Sequence, residues 1–277
     1  MSYRERMRFF AILVVLAGTA RADVSADVTK SVAALVDGVS TGKPDLAGVE
    51  LFITPGGRDP LPDHDALVDL QKLVGKGKLG NVTVVATKSG AWLYGELATK
   101  PDPIRITAVL ALDGKAWKVR ATHWSIATPN RPIPGCGMLS DEWYLAPSVA
   151  KALEAPVKAI FDALSGNTIA NNTGAFAKLM SDDKAALAIG TAPKERFEGG
   201  AKIKSLFAKW TLLDPARDPE NHDPLPARAN LAGDLAWIMM PVGAPSQMCT
   251  TYRALFVLAK EPAGWRIVHQ HYAERAH

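Results

Sequence analysis

A tryptophan–histidine segment occurs twice in this chain. Residues 265–271 read WRIVHQH, and a degenerate copy, WKVRATH, occupies residues 117–123. In both copies the last histidine follows the tryptophan by six residues, and an Ala-Trp pair, Ala91-Trp92 or Ala236-Trp237, precedes each copy. Similarity at so long a spacing predicts one domain that is written twice.

The first 22 residues have the pattern of a secretory signal. Three arginines precede an apolar core at residues 9–18, and the small residues Ala20 and Ala22 follow it. The core is too short to span a bilayer. We therefore expect cleavage before Asp23, a periplasmic or secreted protein and no stable membrane anchor afterwards. An uncleaved membrane anchor is the alternative.

The charge balance argues against a nucleic-acid partner. The chain has 32 basic and 28 acidic residues, but the expected signal holds four arginines and one glutamate, which leaves 28 and 27. The remaining lysines, such as Lys72, Lys76 and Lys78, are dispersed rather than clustered with aromatic residues. The sequence also lacks a Gly-x-Ser-x-Gly elbow, a phosphate-binding glycine loop and a Cys-x-x-Cys pair.

A proline-rich segment divides the two copies. Several prolines lie near the start of residues 128–147. They block both the continuation of a helix and pairing within a central strand. We predict a first domain at residues 23–127, this linker, and a second domain at residues 148–277. Cys136 and Cys249 would pair in an oxidising compartment only if their geometry permits it, so a disulfide and two free thiols both stay open.

Both predicted domains begin with helices and end with strands. Apolar residues recur at helical spacing near each beginning, whereas the later runs are strand-like and separated by turn signals such as Asp113-Gly114 and Gly233-Asp234. This order predicts the α+β class, with helices packed on an antiparallel meander in each half.

Three blocks of the second half carry a family resemblance. Residues 189–199 (IGTAPKERFEG), 233–237 (GDLAW) and 264–271 (GWRIVHQH) resemble the SnoaL-like branch of the nuclear transport factor 2-like superfamily. In the first half the resemblance is thinner, because residues 52–58 (FITPGGR) replace the first block and Glu195 has no counterpart.

The resemblance implies two tandem cone-shaped domains. In each, a curved antiparallel sheet would wrap around helices and leave an apolar pocket at the open end. Members of this superfamily include polyketide cyclases, a ketosteroid isomerase, dehydratases and proteins that only bind ligands, so the fold does not select a function. Members commonly dimerise sheet to sheet, which implies an intramolecular pseudo-dimer here.

The histidines of the last strand are the candidate catalytic residues. Period-two alternation places Trp265, Ile267, His269 and His271 on one face. Two imidazoles at this spacing could supply a general base or two metal ligands, but no third ligand lies near, so we predict no metal site. Hydrogen bonding to neighbouring strands, or a place in the sheet-packing interface, is the preferred interpretation. The first copy keeps only His123.

Further residues are candidates for lining a ligand pocket. Glu195 and Arg196 precede a helix, where a local ion pair is the ordinary role. Tyr252 and Arg253 point to opposite faces of one strand, so only one of them can enter a cone. The other candidates are the two tryptophans, for which core packing is favoured, and the histidine of the first copy: Trp237, Trp265 and His123.

No reaction follows securely from these patterns. We expect an exported protein that binds a small apolar ligand or mediates association without catalysis and without a cofactor. The alternative is a cofactor-free lyase or isomerase in which His269 or His271 abstracts a proton inside the second cone. The position of these imidazoles discriminates between the two: a place between the sheets argues against the enzyme.

Overall fold

The computed structural model describes residues 23–53, 64–100, 103–127, 149–150, 155–165, 174–208, 228–244 and 247–274. The expected signal, the expected linker and Cys136 lie outside these ranges, as does the side chain of Cys249, and with them the choice between a disulfide and two free thiols. Among the helices in these ranges, none combines the length and the apolar character needed to cross a membrane.

The first half forms a five-stranded sheet with helices on one face. Helix α1 covers residues 23–40 and α2 covers His64–Val74. The sheet order is β1-β5-β4-β3-β2, with only β1 and β5 parallel. Its strands are Glu50–Ile53 (β1), Leu79–Ala86 (β2), Gly90–Leu97 (β3), Ile104–Asp113 (β4) and Ala116–Ile126 (β5).

The second half forms a seven-stranded sheet of order β6-β9-β10-β11-β12-β7-β8. Its helices are α3 (Ala155–Ser165), α4 (Gly200–Phe207) and a 3-10 turn at Phe176–Leu179. Its strands are Val149–Ala150 (β6), Leu187–Ile189 (β7), Arg196–Glu198 (β8), Arg228–Ala232 (β9), Leu235–Ala244 (β10), Gln247–Glu261 (β11) and Gly264–Glu274 (β12).

The predicted α+β class, with a helix-backed sheet in each half, is confirmed. The sheets are mixed rather than wholly antiparallel. Strand β1 joins β5, β6 joins β9 and β7 joins β12 in parallel, because long connections containing helices or further strands separate the members of each pair. The four-stranded meander that ends each half is antiparallel, as the turn signals predicted.

Each sheet buries one face against its own helices. In the first unit, Val28, Val32 and Leu35 recur on one side of α1 and pack on strand residues such as Ile106 and Trp124. Each fully buried aliphatic side chain of this kind contributes about 1.5–3 kcal/mol relative to an exposed one. The second unit is built in the same way, from α3, α4 and the facing residues of β10, β11 and β12.

A β-bulge sits at the same place in both meanders. In β4–β5 the pair Val109–Ala121 is followed by Leu110–Val119, and in β11–β12 the pair Val257–His269 is followed by Leu258–Ile267. Each position of the second ladder lies 148 residues beyond its counterpart in the first. This shared irregularity supports the internal repeat that the sequence predicted.

The bulge corrects the predicted alternation along the last strand. One extra residue, Val268, moves the positions before and after it to opposite faces of the sheet. Trp265 and Ile267 therefore pack on the helices, whereas His269 and His271 point to the other face. The prediction that all four share one face is wrong, because a strict period of two cannot anticipate a bulge.

The helix-free faces of the two sheets pack on each other, and we call this contact the seam. Its apolar part includes Trp92 and Val109 of the first unit and Trp237 and Val257 of the second. The rings of Phe52 and Trp237 meet edge to face, with centroids 5.7 Å apart. The seam is thus a third hydrophobic core, which the two units build together.

Two turns close one end of the seam. The Asp234 carboxylate, in the β9–β10 turn, accepts hydrogen bonds from the Thr87 hydroxyl and from the backbone amides of Lys88 (3.1 Å) and Ser89 (3.3 Å) in the β2–β3 turn. Gly233 has a φ of +66°, and a Cβ there would collide with the Ser89 carbonyl. The approach of the two turns therefore requires glycine at this position.

Candidate functional site

Three histidines meet in the seam, and we call His123, His269 and His271 the histidine cluster. None of the three side chains is exposed. The rings of His123 and His271 have centroids 4.4 Å apart, and the Trp92 ring stacks on His269 at 4.5 Å with an interplanar angle of 9°. The bulges bring these imidazoles together. After each bulge in β5 and β12 the alternation of side chains is reversed, so the histidines point towards the opposite sheet.

The second unit's histidines belong to one ordered chain of hydrogen bonds. His269 Nδ1 lies 3.0 Å from the Leu187 carbonyl, which can only accept, so Nδ1 carries the proton. His269 Nε2 then accepts from the Thr107 hydroxyl at 2.9 Å. Thr107 Oγ1 in turn accepts from His271 Nδ1 at 3.0 Å, and His271 Nε2 accepts from the Ser125 hydroxyl at 2.7 Å.

This series of hydrogen bonds is complete only when the imidazoles of His269 and His271 are both neutral. A second proton on His269 would direct two N–H donors at the single hydroxyl of Thr107 and displace its own hydrogen. Burial accordingly lowers the pKa of His269 and of His123 to about 3, and lowers the pKa of His271 well below its usual value. Hydrogen bonds with the Leu187 and His271 backbones only partly oppose burial at His269 and His123.

This position argues against a general base. A base must reach a substrate and must gain a proton near neutral pH. Both ring nitrogens of His269 and His271 are engaged by protein groups, neither ring is exposed, and each pKa lies far below neutrality. The cluster does what the preferred interpretation of the sequence proposed, since it hydrogen-bonds across the sheet-packing interface.

A buried arginine also joins the two units. Arg105 on β4 is 3% exposed, and its guanidinium donates to three carbonyls of the second unit: Gly190 (2.7 Å), Thr191 (3.3 Å) and Ala192 (2.6 Å). These residues begin the loop that leads into β8. The Glu195 carboxylate closes the same loop by accepting from the Ala192 amide at 3.0 Å. Arg105 therefore fixes the position from which β8 starts.

An open cavity of about 410 Å³ lies at the edge of the seam, and we call it the seam groove. Four of its lining residues come from the first unit and one from the second: Asn81, Val82, Thr83, Glu96 and Arg196. The groove thus lies between β2 and β3 of one sheet and β8 of the other. Strands β2 and β8 are edge strands, and no other described strand pairs with their outer sides.

The two charged side chains of the groove, Arg196 and Glu96, are held by hydrogen bonds and by the Tyr94 ring. Arg196 Nη2 donates to Thr83 Oγ1 at 2.9 Å and Nε donates to Glu198 at 2.8 Å, while the guanidinium carbon lies 5.3 Å from the Tyr94 ring centroid. Glu96 accepts from the Tyr94 hydroxyl at 2.8 Å. Burial, with help from this hydrogen bond to Glu96, raises the pKa of Tyr94, so the phenol stays a donor.

An irregular stretch of β2 shapes the first-unit wall. The ladder between β2 and β3 shifts register between Gly80 and Thr83, and Asn81 lies there with a φ of +48°. Asparagine tolerates this left-handed conformation better than most residues. Its side-chain amide donates to Glu96 at 2.8 Å, so the bulge aims Asn81 at the carboxylate.

The C-terminal half of the chain matches a known protein family. Residues 157–273 match the family described as the SnoaL-like domain. The C-terminal half of this chain is a SnoaL-like domain. The first unit lies outside that match, and its sheet repeats the meander of the SnoaL-like domain, bulge included.

Three solved structures that are similar to this chain each match less than half of it. A protein of unknown function from Pectobacterium atrosepticum shows 18% identity over 44% of this chain and 90% of its own (TM-score 0.31). A cystatin-like fold protein from Burkholderia xenovorans shows 20% identity over 44% and 92% (0.30), and an NTF2-like protein of unknown function from Pseudomonas putida shows 16% over 45% and 87% (0.32). No curated protein sequence matches the chain.

The predicted pocket residues do not gather in one place. Trp237 lies in the seam core at 1% exposure, whereas Trp265 packs on the helices of the opposite face. Arg253 is partly exposed on β11, and the side chain of Tyr252 is not described. Glu195 stabilises its own loop and His123 lies in the histidine cluster. Arg196 lines the seam groove.

Sequence reasoning missed most of the groove and of the seam. Glu96 is the one charged residue in the otherwise apolar strand β3, and Arg105 stands at the start of the apolar strand β4. A lone charge in such a strand is the signal that would have found them, because a buried charge needs a specific partner. Thr107 and Ser125 gave no comparable signal.

Proposed function

We propose that this protein is an exported, non-catalytic binding protein, and that the seam groove holds its small ligand. The observation that supports this is the composition of the groove. A cavity of about 410 Å³ is within the usual size of ligand sites, and a carboxylate and an amide of the first unit converge on it with a guanidinium of the second.

The first unit acts in this proposal as a permanent partner of the SnoaL-like domain. The face-to-face packing of the two sheets supports an intramolecular pseudo-dimer, in which the face that could pair with a second molecule is already covered. Covalent fusion then guarantees that both walls of the groove are present in every molecule, whatever the protein concentration.

In the part of the chain that the structure describes, the groove is a better candidate than the interior of the cone. On the helix side of the SnoaL-like domain, apolar residues including Phe176, Phe207 and Phe256 pack on one another. On the same face the Tyr272 hydroxyl donates to the Gln270 side chain at 2.8 Å, so these two polar groups bond to each other. We therefore replace the apolar ligand expected from the sequence by a small polar ligand in the seam groove.

Two measurements on the exported protein test the proposal. Full-length protein is expressed with its own N-terminus and isolated from the periplasmic fraction, and native mass spectrometry then records any bound mass. We expect a mature chain that begins at Asp23 and a bound small molecule. The double variant Glu96→Gln/Arg196→Gln should lose that molecule.

The control double variant is Asp113→Asn/Lys118→Gln. It also removes one acidic and one basic group, but from an exposed ion pair (2.7 Å) at the tip of the β4–β5 hairpin, and it should keep the bound molecule. Equal retention by both double variants would refute the groove as the site. A chain that stays in the cytoplasm with residues 1–22 attached would refute export.

A further inference from the structure

Two opposite charges line the seam groove without pairing with each other. Arg196 forms its ion pair with Glu198, whose side chain is 65% exposed. Glu96 is held by the Tyr94 hydroxyl and the Asn81 amide, and among the described residues it has no basic partner within ion-pair distance. Glu96 and Arg196 therefore both face the groove, and they do not form an ion pair with each other.

The first-unit wall of the groove offers hydrogen-bond acceptors. Each Glu96 oxygen accepts one hydrogen bond from the described residues, whereas a carboxylate has about four acceptor positions. Asn81 uses its NH₂ group on Glu96, which leaves its carbonyl oxygen as an acceptor in the same wall. A group with several N–H donors and a positive charge, such as a primary ammonium, fits this wall.

The second-unit wall offers donors. Arg196 uses Nε on Glu198 and Nη2 on Thr83, and none of the described residues engages Nη1, which can donate to a ligand. Guanidinium groups bind carboxylates through charge-assisted hydrogen bonds. The guanidinium is also held over the Tyr94 ring, and β8 begins from the loop that Arg105 clamps. The donor is therefore fixed in position before a ligand arrives.

We infer that the ligand of the seam groove is a small zwitterion, with a primary ammonium group at Glu96 and Asn81 and a carboxylate at Arg196. This rests on the proposed binding function of the groove. A simple anion would be repelled by Glu96 and a simple cation by Arg196, whereas a molecule with both charges satisfies both walls. Val82, which is 37% exposed, gives the groove an apolar surface for a short carbon chain.

Calorimetric titration of the full mature protein tests this assignment. The probes are glycine, β-alanine and 4-aminobutyrate as zwitterions of increasing length, with propylamine and propionate as molecules that carry one charge each. We expect at least one zwitterion to bind roughly tenfold or more tightly than either single-charge probe, since only a zwitterion forms charge-assisted hydrogen bonds with both walls.

Single variants then assign each charge to its wall. Glu96→Gln should weaken zwitterion binding roughly tenfold and abolish the preference of zwitterion over propionate, whereas Arg196→Gln should abolish its preference over propylamine. Lys118→Gln, at the exposed hairpin tip, should bind the zwitterion like the wild type. The melting temperature of each variant, measured in parallel, separates lost binding from lost folding.

The outcomes distinguish the ligand class from the binding site. If propionate or propylamine binds as tightly as the zwitterions, or if no probe binds, the zwitterion assignment is overturned. In either case the proposed function still stands if the periplasmic protein carries a mass that Glu96→Gln/Arg196→Gln loses. Unchanged zwitterion binding in both single variants would overturn the assignment as well.

Discussion

The two meanders share a backbone but not their polar side chains. At the position where the SnoaL-like domain has His269, the first unit has Ala121. The reverse holds across the ladder, because Thr107 of the first unit corresponds to Leu255 of the second. The hydroxyl of Thr107 is the group that both imidazoles of the SnoaL-like domain contact. The seam faces of the two units are therefore complementary. The SnoaL-like domain supplies the imidazole of His269, and the first unit supplies the hydroxyl of Thr107.

This complementarity makes the seam selective. Ser125, which donates to His271, corresponds to Ala273 in the SnoaL-like domain. If two SnoaL-like domains met through this face, their imidazoles would find Leu255 and Ala273 instead of hydroxyls. A buried polar group without a partner costs about 1–3 kcal/mol, so pairing of unlike units is favoured over pairing of like units.

The largest effect that we predict is a loss of stability in mild acid. The pKa values of the histidine cluster are lowered in the folded protein, so between about pH 6.5 and pH 3 the unfolded chain binds protons that the folded chain refuses. Stability is full above pH 6.5 and falls as the pH drops, by up to about 1.4 kcal/mol per pH unit for each imidazole. Chemical denaturation at pH 7.5, 6.5, 6.0 and 5.5 measures this slope.

The comparison between the units supplies the control for this prediction. His269→Ala gives the SnoaL-like domain the residue that the first unit has at this position, and it should reduce the slope by about one third. A free energy of unfolding that is constant between pH 7.5 and 5.5 in the wild type would contradict the buried, neutral state of the cluster.

The next largest effect concerns the two equivalent arginines. Arg105→Met should destabilise the protein by about 3 kcal/mol, because three carbonyls of the 190–192 loop lose a buried charged donor. Arg253 occupies the corresponding position in the SnoaL-like domain but is partly exposed, so Arg253→Met should have an effect of about 1 kcal/mol or less. Equal losses in urea denaturation would show that Arg105 is not a special clamp.

A smaller effect is expected at the hydroxyls that only the first unit supplies. Thr107→Val removes a group shared by two imidazoles and should lower the free energy of unfolding by about 2 kcal/mol, whereas Ser125→Ala removes one hydrogen bond and should lower it by about 1 kcal/mol. Thr29→Val is the matched control, since its hydroxyl donates only to the Ser25 carbonyl within α1. Thermal denaturation at pH 7.5 ranks the three.

The repeat and the class of fold were readable from the sequence because they rest on local periodicity. Helical spacing predicted the apolar side of α1, and Asp113-Gly114 predicted the β4–β5 hairpin. The faces of β12 were not readable, because one bulged residue, Val268, inverts the alternation after it. A bulge depends on the partner strand, and a single strand's sequence does not contain that information.

The seam groove was not readable for a related reason. Arg196 was a candidate from its family block, but Glu96 lies exactly 100 residues away in the other unit, and only the packing of the two sheets brings them to one cavity. The same holds for Thr107 and His269 in the seam. Composition and spacing describe each unit, whereas these contacts depend on how the units face each other.

The smallest effect that we predict lies at the two turns that close the seam. Asp234 corresponds to Ser89 of the first unit, since Leu235 and Gly90 begin equivalent strands, so a carboxylate is present on one side only. Burial would raise the pKa of Asp234, but hydrogen bonds from Thr87 and from the amides of Ser89 and Lys88 outweigh it and lower the pKa. The contact therefore stabilises the protein above the ordinary pKa of aspartate and weakens as the pH falls through the lowered value.

Asp234→Ala should lower the free energy of unfolding by only about 1 kcal/mol, because water can reach the half-buried turn and replace part of the lost bonding. The local effect should be larger: hydrogen exchange at the amides of Lys88 and Ser89 should accelerate, while exchange within β4 stays slow. Asp183→Ala, which removes a bond to the Ala185 amide inside the SnoaL-like domain, should leave the β2–β3 turn unchanged. If Asp234→Ala leaves exchange at Lys88 and Ser89 unaltered, the turns are neighbours that do not hold the sheets together, and the seam depends instead on its buried hydroxyl–imidazole bonds, its apolar core and the hydrogen bonds of Arg105 and Arg196.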